Sequence, residues 1–172
     1  MSRRTAPGLL NRSGRSSRSS RSDSATFRHR NLPLLLLQAR ESVIANFRPI
    51  LHAHGLTEQQ WRIVRLLLDA GPLEPRQIGR QCRISSPSLA GVLARMDEVG
   101  LVRRERMAED QRRVKVSLTP RSRALAAAMA PKIEAVYEAL EAHIGRDFID
   151  RFYATLAELI GLLGDLPPED EG

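Results

Sequence analysis

Six cationic side chains crowd the stretch LVRRERMAEDQRRVKVSLTP, residues 101–120: Arg103, Arg104, Arg106, Arg112, Arg113 and Lys115. A guanidinium is a planar fork of N–H donors that suits phosphate oxygens. The apolar positions Val102, Val114, Val116 and Leu118 make the stretch read as two short strands joined by a charged tip. A cationic hairpin of this kind can hold DNA phosphates or send one Arg into a minor groove. Arg112 is the candidate for the groove, and Arg104, Arg106 and Arg113 for phosphates. Asp110, two residues before Arg112, would repel phosphate, so bracing the Arg112 guanidinium explains it better than contact. The competing reading is a solvated charged hairpin. A second constellation is Trp61 and Arg65, four apart and therefore on one helix face. Arg can grip a carboxylate with two parallel bonds and Trp can stack on a ring. Core packing for Trp61 and an ion pair with Asp69 for Arg65 are the bland alternatives.

The elements that must position these groups follow from periodicity and punctuation. Apolar residues from Leu36 to Leu51 predict one long helix from Leu32 to His54, closed by Gly55. Thr57 and Gln60 fit a capping box for a second helix, which carries Trp61, Val64, Leu67 and Leu68 and stops near Gly71-Pro72. Pro75 suits the first turn of a short third helix, Arg76 to Cys82. Ser86 is expected to cap a fourth helix, with Leu89, Val92 or Leu93, and Met96 buried and Gly100 ending it. After the hairpin, Thr119-Pro120 starts a long fifth helix to about Ile144, with a kink expected at Pro131. Gly145 separates it from a sixth, Arg146 to Leu163, whose Phe148, Phe152, Leu156, Leu159, Ile160 and Leu163 lie on one side. A short helix, a tight turn, a capped helix and an Arg-rich hairpin make a winged helix-turn-helix. The fold class is thus mainly α with a small β-hairpin wing.

Charge is unevenly spread over the 172 residues. The first thirty hold eight Arg and one Asp, which equals the formal net charge of the whole chain, +7. The high pI of about 10.8 therefore reports that segment, because the rest is neutral. Within the rest, residues 76–115 carry ten basic and five acidic side chains, and residues 116–172 the reverse, five and ten. The positive field gathers around the fourth helix and the wing, as a DNA-binding face requires. The Arg/Ser-rich, acid-poor residues 1–30 read as a disordered tail, with some likeness to an organellar transit peptide. Residues 167–172 read as a short acidic tail. The run Leu34 to Leu37 is too short to span a bilayer, and no secretory signal is evident, so a cytoplasmic location and no membrane partner are expected.

Thr57-Glu58-Gln59-Gln60-Trp61-Arg62, Leu101-Val102-Arg103-Arg104, and Asp110-Gln111-Arg112-Arg113 through Leu118-Thr119-Pro120 resemble the MarR family of bacterial transcriptional regulators. Gln38-Ala39-Arg40-Glu41 and Phe47-Arg48-Pro49 resemble more narrowly its branch regulating homoprotocatechuate and hydroxyphenylacetate degradation, the HpaR-like branch. The likeness covers about residues 32–163. It implies a body at 31–166, with the winged lobe at about 56–120 and dimerisation helices at about 32–54 and 120–164. It implies a homodimer, a pseudo-palindromic double-stranded DNA operator, repression, and release by a small phenolic or aromatic carboxylate bound where the dimer helices meet the lobe. Trp61 and Arg65 would hold that acid, with Tyr137, Arg40 and Glu58 as further candidates. No cofactor is implied.

On the fourth helix the face opposite the apolar stripe shows Ser85, Ser86, Ser88, Ala90, Gly91 and Arg95. The Ser residues can meet base edges or phosphates, and capping is the simpler role for Ser86. Related regulators carry polar or basic residues where Ala90 and Gly91 stand, which shifts weight to Ser88, Arg95 and the wing. An enzyme is disfavoured: there is no Gly-rich phosphate loop, no nucleophile elbow and no cluster with metal-ligand spacing. His52 and His54, two apart, diverge on a helix, and His143 stands alone. The single cysteine, Cys82, adjoins the reading helix and offers the alternative of a redox-sensing regulator. An RNA-binding protein would need stacking aromatic residues near the basic cluster, and there are none.

Overall fold

The computed structural model describes residues 27–106 and 113–164. Most of the Arg/Ser tail, the wing tip with Asp110 and Arg112, and the acidic tail lie outside the described residues. Seven helices and one hairpin follow in order: α1 (Leu32–Ile44), α2 (Arg48–Ala53), α3 (Glu58–Ala70), α4 (Pro75–Cys82), α5 (Ser86–Glu98), β1 (Val102–Arg106), β2 (Val114–Leu118), α6 (Pro120–Ile144) and α7 (Arg146–Gly164). The mainly α, winged architecture is the expected one.

Local chemistry explains most boundaries. Thr57 and Gln60 form the capping box: the Gln60 N–H donates to Thr57 Oγ1 at 3.2 Å and the Thr57 N–H to Gln60 Oε1 at 2.9 Å. Glu74 and Gln77 do the same for α4, with Pro75 at its first position. Thr119 caps α6 and also donates its hydroxyl to the Gly100 carbonyl at 2.7 Å, tying the start of α6 to the end of α5. α6 runs from Pro120 to Ile144 as one helix with Pro131, which has no N–H to donate, inside it.

Two expectations are corrected. The long first helix is two helices, because the chain turns at Ala45–Phe47. Asn46 Nδ2 donates to the Ser42 and Val43 carbonyls at 2.8 and 3.2 Å, closing α1, and Pro49 sits in the first turn of α2, where a missing N–H is harmless. The turn lets Phe47 enter the core. The N-cap position of α5 is Ser85 rather than Ser86, and its hydroxyl makes no cap bond; it pairs with the Ser88 hydroxyl at 3.0 Å.

The strands are antiparallel, with Val102 opposite Leu118, Arg104 opposite Val116 and Arg106 opposite Val114. Leu73 adds a bridge to Val116, N–H to O in both directions at 3.1 and 2.8 Å, which ties the wing to the start of the helix-turn-helix. One core joins the lobe: Leu51, Ile63, Leu67, Ile78, Leu89, Val92, Leu93, Met96, Val102, Val116 and Met129 are all buried. Gly79 permits the tight α4–α5 crossing, since a Cβ there would stand 3.2 Å from the Ile84 carbonyl and 3.3 Å from Leu89. The turn between them puts Arg83 at φ 51°, a left-handed conformation uncommon for a side-chain-bearing residue. In contrast, neither α1 nor α7 buries a single residue.

Candidate DNA interface and small-molecule pocket

The exposed face of α5 presents Ser85, Ser86, Ser88 and Arg95, as expected. The Arg95 guanidinium folds back over Gly91, 3.5 Å from where a Cβ would be, so the glycine leaves room for it. Strand alternation divides the wing. Val102, Arg104 and Arg106 share one face, and Arg104 turns toward a cleft of about 760 Å³ between α4, α5 and the hairpin. Arg103 lies on the other face, paired with Glu105 at 3.3 Å. Arg113 is also engaged within the protein: its Nε donates to Glu74 Oε1 at 3.0 Å, so it fastens the start of β2 to the N-terminus of α4. Asp110 and Arg112 lie outside the described residues.

The five pocket candidates fall into two groups. Arg40 and Glu58 belong to an ion network. Arg40 Nη2 donates to Glu58 Oε2 at 2.9 Å and also pairs with Glu41; Arg48 pairs with both Glu41 and Glu58. Hydrogen bonding to Arg48 and Arg40 holds the Glu58 carboxyl below its ordinary range and keeps it ionised, and Arg48 is raised in turn. The network joins α1, α2 and α3. Glu41 and Arg48 entered the reading of the sequence only as parts of family motifs; they pair across the turn at Ala45–Phe47, which the apolar period hides.

Trp61, Arg65 and Tyr137 form the second group. Trp61 is half-buried against the core, so packing is part of its role. Arg65 makes no ion pair with Asp69 among the described residues. Tyr137 packs on Phe47, ring centroids 4.9 Å apart, and lies within electrostatic reach of Arg65, Tyr153 and Glu134. Burial, reinforced by Tyr153 and opposed by Arg65, raises its phenol, which therefore stays protonated and able to donate at neutral pH.

Cys82 is buried, and that burial pushes its thiol up, the reverse of what a reactive thiolate needs. Its carbonyl accepts from Arg62 Nη1 at 2.6 Å, which ties α3 to the end of α4. Among the described residues no group of His, Cys, Asp and Glu is arranged to hold a metal ion, and no helix is long and apolar enough to cross a membrane.

A reading helix with a polar outer face, set beside a wing with Arg on its inner side, defines a winged helix-turn-helix DNA-binding protein. The chain belongs to the MarR family, whose model matches residues 54–113. It is 39% identical over 132 residues to the HTH-type transcriptional regulator FarR of Neisseria gonorrhoeae, spanning 77% of this chain and 90% of that protein. It is 38% identical over 147 residues to the homoprotocatechuate degradative operon repressor of Escherichia coli, spanning 83% and 99%. The crystal structure of NadR in complex with 4-hydroxyphenylacetate superposes with a TM-score of 0.70 at 38% identity, over 78% of this chain and 95% of that one. The protein is a transcriptional regulator and not an enzyme.

Proposed function

We propose that the chain acts as a homodimeric repressor of aromatic-acid catabolism genes, bound to a pseudo-palindromic operator and released by a small phenolic carboxylate. Residues 31–166 are the working body, with the lobe at about 56–120 and the flanking helices pairing the chains. The kinship with a homoprotocatechuate repressor supports the gene class, and that with a 4-hydroxyphenylacetate complex supports the effector class.

The observation that carries the effector is Arg65. It is an exposed guanidinium without a carboxylate partner among the described residues, near the Tyr137 phenol and one turn from Trp61. A phenolic acid supplies what this set lacks: a carboxylate for Arg65, a ring for Trp61 and a hydroxyl to meet Tyr137. Arg40 and Glu58, joined by the ion network, are further candidates for that site. In the DNA complex Ser85, Ser86, Ser88 and Arg95 face the major groove, Arg112 braced by Asp110 enters the minor groove, and Arg104, Arg106 and Arg113 serve the backbone.

The acid releases DNA only if it binds better to the dimer spacing that does not fit the operator, since equal affinity for both forms shifts nothing. Isothermal titration with 4-hydroxyphenylacetate is the test. Saturable heat that disappears in Arg65→Gln is expected. No heat from the native protein would remove the phenolic acid and leave the regulator.

A further inference from the structure

The two flanks of α5 are built differently, and one of them is a cationic cleft whose Arg pair on α4 the reading above does not use. The cleft of about 760 Å³ is lined by Arg76 and Arg80 from α4, Arg104 from β1, and Ser85 and Ser86 at the start of α5. Every charged residue in its lining is an Arg. None of the three has a carboxylate partner among the described residues, although other Arg residues do. Glu74, which precedes the cleft-lining Pro75, is taken up by Arg113. The opposite flank, with Val92 and Arg95, opens on a smaller recess of about 350 Å³ beside Gln59 and Gln60.

Local energetics do not explain Arg76 and Arg80. They are four apart, so two like charges sit one above the other, an arrangement that destabilises a helix. Arg76 is also the second residue of α4, where the positive end of the helix dipole disfavours a cation. Helix stability would favour a carboxylate at position 76, while Arg80, in the last turn, suits the dipole and conflicts only with Arg76. A ligand with repeated negative charge removes the conflict. Four residues of helix separate the two positions by about 6 Å along the axis. Successive phosphates of one strand advance by roughly 3.4 Å along the duplex axis. A lone carboxylate would occupy a single guanidinium and leave the other two unmatched.

We propose that this cleft seats the sugar–phosphate backbone of one DNA strand, with Arg76 and Arg80 joining Arg104 as its phosphate clamp. The inference rests on the DNA-binding reading and adds to it a division of labour across α5. The cleft side fixes the register on the backbone, and the Ser88–Arg95 face is left to the bases. Arg76 and Arg80 are positioning residues, so their loss should weaken all sequences alike.

The probe is a 30-base-pair duplex from the chain's own upstream region, beside a scrambled duplex of equal composition, titrated by fluorescence anisotropy from low to high salt. In the native protein the slope of log K against log salt counts phosphates at about 0.9 each. Arg76→Gln with Arg80→Gln removes two contacts from each of two chains, and should lower that slope by roughly 3.6 on both duplexes and keep their affinity ratio. Arg76→Lys with Arg80→Lys should retain the slope, and Arg104→Gln alone should lower it by about 1.8, one contact from each chain. Unchanged slope in the double Gln variant, with its helical signal and melting intact, overturns the clamp. So does a collapsed affinity ratio, which would make these residues base readers, or an equal fall in slope for the distant Arg146→Gln, which would make the effect one of net charge. Failure of the regulator reading looks different: the native protein would not prefer its upstream duplex, while the slopes would still report on the clamp.

Discussion

The winged lobe and the two end helices contain much the same apolar residues and treat them oppositely. In the lobe, Leu67 is 1% exposed and Met96 is fully buried, within a core that α2 to α6 and the hairpin close by themselves. On α7, Leu163 is 54% exposed and Ile160 62%, and on α1 a run from Leu34 to Leu37 is open to solvent. At about 25 cal/mol per Å² of apolar surface, faces this large are costly to leave wet. The lobe is therefore self-sufficient and the end helices are not. In the proposed homodimer a second chain, applied across a two-fold axis, would cover both faces at once and set two reading helices at a fixed spacing. The difference between the regions matches a division between reading and pairing.

Four substitutions can break or sharpen that contrast. The largest effect is expected from Phe152→Glu on α7. Two-fold symmetry counts the change twice, so association should weaken by about 3–6 kcal/mol, from ~1.5–3 per buried Phe. Sedimentation should show monomers that keep the lobe's helical signal. If instead the lobe unfolds, α7 belongs to its core and the contrast fails. Leu67→Ala should do the converse, costing about 2–5 kcal/mol in urea unfolding through the cavity it leaves in the lobe. Arg65→Gln lies at the seam between the regions. It should reduce affinity for 4-hydroxyphenylacetate by about 1.5–3 kcal/mol, the worth of a charged hydrogen bond, with little change in melting.

The smallest effect concerns Glu58. Its folded carboxyl titrates below its unfolded range because Arg48 and Arg40 hydrogen-bond to it. Its contribution is therefore complete above the ordinary carboxylate range and is lost as pH falls through the depressed folded value. Glu58→Gln should remove that acid-side loss in melting scans between neutral pH and pH 3, by no more than roughly 1 kcal/mol for so exposed a pair. A scan identical to that of the native protein would mean that the network is ornamental.

Features governed by neighbours along the chain were legible in the sequence. The Thr57–Gln60 capping box, the Pro75 start of α4, the end of α5 near Gly100 and the Thr119 cap all depend on residues within one turn. The break at Ala45–Phe47 was marked by Pro49, but the apolar period runs through it and hides the turn. Ser85 and Ser86 both precede Pro87, so the cap could fall on either. Contacts made only by folding were out of reach. Arg113 meets Glu74 from 39 residues away, and nothing local directs it there. The Arg65–Tyr137 approach is likewise tertiary, and only the likeness to a known family pointed to it. Arg76 and Arg80 were visible as a pair four apart, but their meaning appears only when Arg104 of the wing closes the cleft around them.

The most direct measurement is a titration of the chain's upstream duplex, with and without 4-hydroxyphenylacetate, at one stated salt concentration. The account expects tight, sequence-specific binding of two chains per duplex, weakened by the acid. Binding that is blind to sequence and governed by salt alone would contradict it, because the cationic segment at residues 1–30 would then explain everything the lobe is said to do.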